Sequence, residues 1–311
     1  MINDVKKIVL AGRLREEVKD YLARRKMGFE FRIGDYPEIR QEDLDWADVY
    51  VAFRPVNGLD MSAVPWVHAL GAGVDFFLFR RQWPENTLLT KTPGNFGRKI
   101  GEYCLTRALM FKQRIPELAA DQKARRWEPK YAALLEGDRV LIVGTGNVGT
   151  GIAKIFLAMG CSVEGVSQDT HAAPFDTIYP PEQLADRVPH ADWIILSVPL
   201  TEQTYQMFDR SIMSRCTGAR LINVARGPVV QEPALIEALD SHWLAGAALD
   251  VFLEEPLPKN SPLWDRKNVI ISPHVAAITS TEEAGQAFLR CLQQLKNNQI
   301  PDLAIDLKRG Y

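Results

Sequence analysis

Residues 139–160 read RVLIVGTGNVGTGIAKIFLAMG, and the order of residue types in that stretch decides the fold. Val140, Leu141, Ile142 and Val143 form a short apolar run of the kind that makes a buried strand. Gly144, Gly146 and Gly149 follow in the spacing G-x-G-x-x-G, and Ile152, Ile155, Phe156 and Met159 then recur at helical intervals. The glycine spacing alone is a weak signal; strand, glycine turn and helix in that order make it a dinucleotide-binding signal. Gly144 permits the tight turn, Gly146 lets the backbone approach a pyrophosphate, and Gly149 lets the helix pack against the strand. The free N–H groups at the start of that helix then face the phosphates. Gly144, Thr145, Gly146, Asn147, Val148 and Gly149 are therefore the expected cofactor loop.

The unit begins in mid-chain, and the 311 residues leave room for a second domain of ordinary size. Hydrophobic residues make up 46% and charged residues 24%, a balance that makes no case for disorder. A net charge of −2 gives no electrostatic reason to expect nucleic acid or an anionic membrane as partner. Cys104, Cys161, Cys216 and Cys291 lie far apart with no C-x-x-C pair, which argues against a disulfide framework or a zinc site and fits a reducing compartment. The apolar run Ile8-Val9-Leu10 is too short for a signal peptide, and no run approaches the ~20 apolar residues that span a bilayer. The expectation is a cytoplasmic protein with no bound metal.

Upstream of the glycine loop, strands are expected over residues 5–10, 29–33 and 48–53, with a charged helix over 16–26. Val67, Ala69 and Leu70 run into Gly71-Ala72-Gly73-Val74-Asp75, and 90–95 is turn-rich and crosses between domains. The apolar face of Tyr103, Leu105, Ala108, Leu109 and Phe111 predicts a helix over 100–114, followed by a polar, exposed arm over 117–131. Downstream, strands are expected over 162–167, 193–198, 220–224, 245–250 and 269–271, with a last helix over 282–296. Alternating strands and helices imply parallel sheets with functional loops at the strands' carboxyl ends. The expected fold is α/β, two Rossmann-like or flavodoxin-like lobes with an active-site cleft between them. Residues 1–95 with 280–311 form the substrate-binding lobe, and 96–279 form the dinucleotide-binding lobe with the arm.

Three polar residues fall just after predicted strands: Arg226 after Leu221–Ala225, Glu255 after Ala248–Phe252, and His274 after Ile270–Pro273. Reduction of a 2-oxo acid needs a cation for the carboxylate and the polarised carbonyl, and an acid for the new alkoxide. Arginine fits the first task with its planar fork, and histidine fits the second by exchanging a proton in either direction. A carboxylate beside an imidazole orients it and favours its protonated form.

These stretches carry a resemblance to the D-isomer-specific 2-hydroxyacid dehydrogenases. The similar segments are Gly71–Asp75, VGTGNVG at 143–149, NVARGPVV at 223–230, ALDVFLEEPLP at 248–258 and SPHVAA at 272–277, in the family's order. Ser261–Trp264 and Pro273–Thr279 most resemble the glyoxylate/hydroxypyruvate reductase A group. The resemblance implies that Arg226 binds the substrate's carboxylate and carbonyl, that His274 is the acid/base, and that Glu255 is its partner. It implies further that the N–H groups of Ala72 and Gly73 hold the carboxylate. Asp250 would meet the nicotinamide amide, Val198 and Pro199 would line the adenosine side, and Val224 and Ala225 would complete the cofactor site. Relatives are typically homodimers joined through the arm at 100–131, where Trp127 either packs in the interface or reaches a neighbour's active site.

The acid that bonds ribose hydroxyls in NAD enzymes belongs at the carboxyl end of the second strand. Glu164 lies inside that strand, and the end position is Ser167, followed by Gln168, Asp169, Thr170 and His171. The missing acid leans the expectation from NAD to NADP, although no arginine replaces it and Asp169 opposes a 2′-phosphate. Arg54 stands where some relatives hold a distal anionic group, and equally suits a surface charge beside Pro55. The leading expectation is hydride transfer between NAD(P)H and a small 2-oxo or D-2-hydroxy acid, with glyoxylate or hydroxypyruvate as substrate. The alternatives are a phosphoglycerate-type dehydrogenase and a non-catalytic, nicotinamide-sensing co-repressor.

Overall fold

A computed structural model describes residues 4–169 and 173–311. The chain divides into two compact units, Met1–Asn95 with Ile278–Tyr311, and Phe96–Ala277. The first unit contains β1 (Lys7–Ala11), α1 (Arg15–Ala23), β2 (Glu30–Gly34), α2 (Gln41–Trp46), β3 (Val49–Ala52), β4 (Trp66–Ala69), α3 (Asp75–Leu78) and β5 (Leu88–Lys91). The second contains α4 (Phe96–Lys112), α5 (Ile115–Lys123), β6 (Arg139–Val143), α6 (Asn147–Ala158), β7 (Ser162–Val166), β8 (Thr177–Tyr179), α7 (Leu184–Arg187) and β9 (Trp193–Leu196). It continues with α8 (Arg210–Met213), β10 (Ala219–Asn223), α9 (Glu232–Asp240), β11 (Leu244–Leu249) and β12 (Val269–Ile271). The last helix, α10 (Thr281–Lys296), belongs to the first unit and packs against α1.

All pairings between these strands are parallel. The first sheet has the order β2-β1-β3-β4-β5, the flavodoxin-like arrangement. The second has the order β12-β11-β10-β9-β6-β7-β8, which is the Rossmann order extended by one strand. The α/β class and the two parallel lobes are thus as expected.

Burial on both faces explains why these strands are continuously apolar. In β1, Ile8 and Leu10 enter one core with Phe288, Leu292 and Leu295 of α10, while Val9 and Ala11 enter the core on the opposite face. A capping box sets the start of α10: the Ser280 hydroxyl accepts from the Glu283 N–H, and the Glu283 carboxylate accepts from the Ser280 N–H.

Some local expectations need correction. Thr90 and Lys91 lie in β5, because Leu89 is buried in the core and Thr90 faces buried polar groups. The polar arm begins as helix α5 and continues without regular structure after Lys123. β9 stops at Leu196, two residues short of the expected end, where Pro199 lacks the N–H a ladder requires.

His68 is wholly buried on β4, its Nδ1 2.7 Å from Thr90 Oγ1 and its Nε2 3.1 Å from Thr92 Oγ1. Burial disfavours the charged ring and pushes its pKa down to about 3 from the ordinary 6.5. The unfolded chain therefore binds a proton that the folded chain refuses between those values, so stability falls as pH drops from 6.5 towards 3. The contribution of one such site is a slope of about 1.4 kcal/mol per pH unit. Urea unfolding across this acid range should give a shallower slope in His68→Gln than in the parent; equal slopes would contradict the role given to His68.

Candidate active site

At the switch point of the Rossmann sheet, β6 and β9 are neighbours whose outgoing connections run in opposite directions. Gly144 leaves β6 with φ +101°, and a Cβ there would lie 2.9 Å from Ser197 C and O and from Val198 N. Gly149 is required by contact, since its Cβ would lie 1.9 Å from Gly144 O. Gly146 is different: among the described residues, and apart from its own neighbours in the chain, no atom lies within 4 Å of the position a Cβ would take. Packing therefore does not explain its glycine, whereas close approach of a ligand to the backbone does.

Helix α6 starts immediately afterwards, with no side-chain cap and no acidic residue in its first turn. Its leading N–H groups and the positive end of its dipole suit a pyrophosphate, so the loop residues fit a dinucleotide. Thr145 is buried beneath the turn, and Asn147 and Val148 open the helix. Val198 and Pro199, half-buried just beyond β9, lie next to the loop; Ser197 Oγ donates to Gly144 O at 2.9 Å. Ser167 follows the end of β7, its N–H bonded to Tyr179 O, and Gln168 and Asp169 are exposed beside it. Glu164 is held within β7, where Tyr179 donates to it. Thr170 and His171 lie outside the described residues.

Arg226, Glu255 and His274 follow β10, β11 and β12, which are consecutive neighbours at one side of the sheet. Asn223, buried at the end of β10, clamps the Arg226 turn: Oδ1 accepts from Ala225 N at 3.1 Å, and Nδ2 donates to Arg226 O at 3.2 Å. Val224 and Ala225 are buried within that turn, and Arg226 Nη1 donates to Ala225 O. Gly227 brings this turn against the β11 loop, because a Cβ there would lie 1.9 Å from Phe252 C and O.

His274 Nδ1 lies 2.8 Å from Glu255 Oε2, and Glu255 Oε1 accepts from Phe252 N at 3.0 Å. With Nδ1 committed, Nε2 is the nitrogen that can exchange a proton with a ligand. The side chains remain 41% and 35% exposed, so a small molecule can reach the pair. Burial works to raise the Glu255 carboxyl, but the hydrogen bonds from His274 and Phe252 outweigh it, helped by the charges of His274 and Arg226. The net result lies below the ordinary carboxylate value. Glu255 is therefore an anion when it faces the imidazole. Glu254 is exposed.

The resemblance assigns Asp250 to the nicotinamide amide; the hydrogen bonds its carboxylate makes within the protein go to the loop that carries His274. The Asp250 carboxylate is buried and accepts from Ser272 Oγ at 2.6 Å, Val275 N at 3.0 Å and Ala276 N at 2.8 Å. Its main-chain O accepts from His274 N at 2.8 Å. His274 itself has φ +52°, a left-handed conformation that costs a non-glycine residue about 1–2 kcal/mol. Those bonds hold it there.

Ala72, Gly73 and Arg54 belong to the other unit. Ala72 and Gly73 are half-buried in the loop between β4 and α3. Arg54 is exposed just past β3, its guanidinium 4.4 Å from the centre of the Tyr36 ring. Arg13, just past β1, lies 4.9 Å over Phe53, so the switch point of the first sheet, between β1 and β3, carries two cations. Trp127 is 98% exposed after α5.

The fold and site thus define a nicotinamide-dependent oxidoreductase with an arginine–carboxylate–imidazole constellation. Residues 105–276 match the model of the family described as D-isomer specific 2-hydroxyacid dehydrogenase, NAD binding domain, and the chain belongs to that family. It is similar to the crystal structure of a D-isomer specific 2-hydroxyacid dehydrogenase family protein from Aeromonas salmonicida subsp. salmonicida A449. The two are 30% identical with a TM-score of 0.88, over 98% of this chain and 100% of that one. A D-isomer specific 2-hydroxyacid dehydrogenase from Xanthobacter autotrophicus Py2, in complex with NADPH and MES, is 28% identical with a TM-score of 0.85, over 99% and 100% of the two chains. An NADPH-dependent glyoxylate/hydroxypyruvate reductase from Sinorhizobium meliloti, in complex with NADP and sulfate, shares the fold at 24% identity and a TM-score of 0.85, over 98% and 100%.

Proposed function

We propose that the protein reduces a small 2-oxo acid to its D-2-hydroxy acid, with NADPH as cofactor and glyoxylate or hydroxypyruvate as substrate. The observation that carries this reading is the 2.8 Å contact between His274 Nδ1 and Glu255, at a strand end beside that of Arg226. Bound reduced nicotinamide supplies a hydride. Arg226 attracts the substrate's carboxylate and draws charge onto its carbonyl oxygen. His274 delivers a proton from Nε2 to the alkoxide oxygen, and accepts one there in the oxidative direction. Glu255, an anion, stabilises the imidazolium and fixes its plane.

In the other unit, the N–H groups of Ala72 and Gly73 are assigned to the substrate carboxylate. Arg54 is assigned to a distal anionic group where a substrate has one; this supports phosphorylated hydroxy acids as the second substrate class. Ser167, in place of an acid after β7, supports NADPH over NADH, as does the NADPH bound to the Xanthobacter relative. Trp127, Tyr131 and Leu134, all exposed within one short segment, support a homodimer formed through it, because covering large apolar side chains favours association.

Nicotinamide absorbance should fall with NADPH faster than with NADH when 2-oxo acids are supplied. His274→Ala should lower kcat by about 10²–10⁴-fold while leaving NADPH binding intact. Full activity in His274→Ala, or no turnover by the parent with any cofactor–acid pair, would overturn the reading; the latter outcome fits a nicotinamide sensor. Arg54→Ala should weaken turnover of a doubly anionic acid selectively, and equal losses on glyoxylate would reject its distal role. Sedimentation should give a dimer that Trp127→Ala loosens; a monomer throughout the concentration range would remove the interface.

A further inference from the structure

Tyr103 lies on α4, within the apolar face that also carries Ala108 and Phe111, where it could be simple packing. Its hydroxyl instead lies 2.5 Å from Ser272 Oγ, a contact joining residues far apart in sequence. The Ser272 hydroxyl has one proton and donates it to Asp250 Oδ1 at 2.6 Å. The Tyr103 hydroxyl must then be the donor to Ser272. The other bonds to Asp250 come from the N–H groups of Val275 and Ala276, the two residues after His274. The chain of contacts therefore runs from α4 through Ser272 and Asp250 into the loop that carries His274.

Three features make this chain more than packing. Ser272 and Asp250 are 5% and 1% exposed, so water cannot replace a lost partner at little cost. His274 N donates both to Asp250 O and to Ser272 O, so the same two residues hold its backbone in the left-handed conformation. The Arg107 guanidinium lies 4.5 Å from the centre of the Tyr103 ring, over its face, and helps to hold the ring in place.

We propose that Tyr103 is a positioning residue for the acid/base: through Ser272 and Asp250 it sets the aim of the His274 imidazole. Tyr103 touches neither substrate nor cofactor in this role. The proposal rests on His274 being the acid/base, and it adds the brace that keeps Nε2 on the reacting oxygen.

Tyr103→Phe keeps the ring and deletes the donor, and Ser272→Ala cuts the same chain one link further on. Misaiming a reacting group can cost up to about 10²-fold, so kcat should fall by roughly 10–100-fold in each variant. The KM for the 2-oxo acid and the affinity for NADPH should change by less than about threefold, because neither Tyr103 nor Ser272 is itself assigned to a ligand and the N–H groups of Val275 and Ala276 still hold Asp250. The double variant should have the kcat of Ser272→Ala alone, since both changes break one chain. Wild-type kcat in Tyr103→Phe, or losses that multiply in the double variant, would overturn the proposal, as would lowered thermal stability with kcat unchanged. His274→Ala, assayed alongside, separates the two readings: if it retains activity the acid/base assignment fails. If it is inactive while Tyr103→Phe is normal, only the brace fails.

Discussion

Parallel pairing is the constraint on which the rest depends. Because every strand in each sheet runs the same way, all carboxyl ends in a sheet open on one edge, and the loops leaving them are neighbours. Arg226, Glu255 and His274 are separated by up to 48 positions in the chain, yet they leave adjacent strands. No local signal could have brought them together; the register of β10, β11 and β12 does so. The same edge carries the glycine turn after β6, where the sheet reverses its strand order.

Within that frame the proposed chemistry rests on few groups. Glu255 stays anionic although burial opposes it, because donors from His274 and the Phe252 backbone outweigh the desolvation. The imidazole is held at Nδ1, leaving Nε2 for proton exchange. Cys104, Cys161, Cys216 and Cys291 are all buried, and burial raises each thiol; for Cys161 the value rises to about 11 and for Cys216 and Cys291 to about 12. None of them is poised as a nucleophile.

Much of this was legible in the chain. The glycine spacing with a strand before it and a helix after it located the dinucleotide loop, because turn geometry and close packing are local demands. The strands of both sheets were legible as apolar runs wherever both faces are buried, as in β1, β6 and β10. Strands such as β8, Thr177–Tyr179, were not, because three half-buried or exposed residues at a sheet edge carry no period. Thr90, read as a turn residue, lies in β5, where its hydroxyl meets buried His68 and Trp66. The brace through Tyr103, Ser272 and Asp250 was equally hidden. Tyr103 satisfies a helical apolar pattern whether or not its hydroxyl bonds anything, and only the tertiary contact distinguishes the two.

The central claim is that a hydride reaches one face of a 2-oxo carbon while His274 protonates the oxygen. The most direct test is to supply hydroxypyruvate with NADPH deuterated on C4 of its nicotinamide and to determine the product's label and configuration. The account predicts deuterium at C2 of D-glycerate alone. Glycerate of L or mixed configuration, or product with no deuterium from either C4 position, would contradict it.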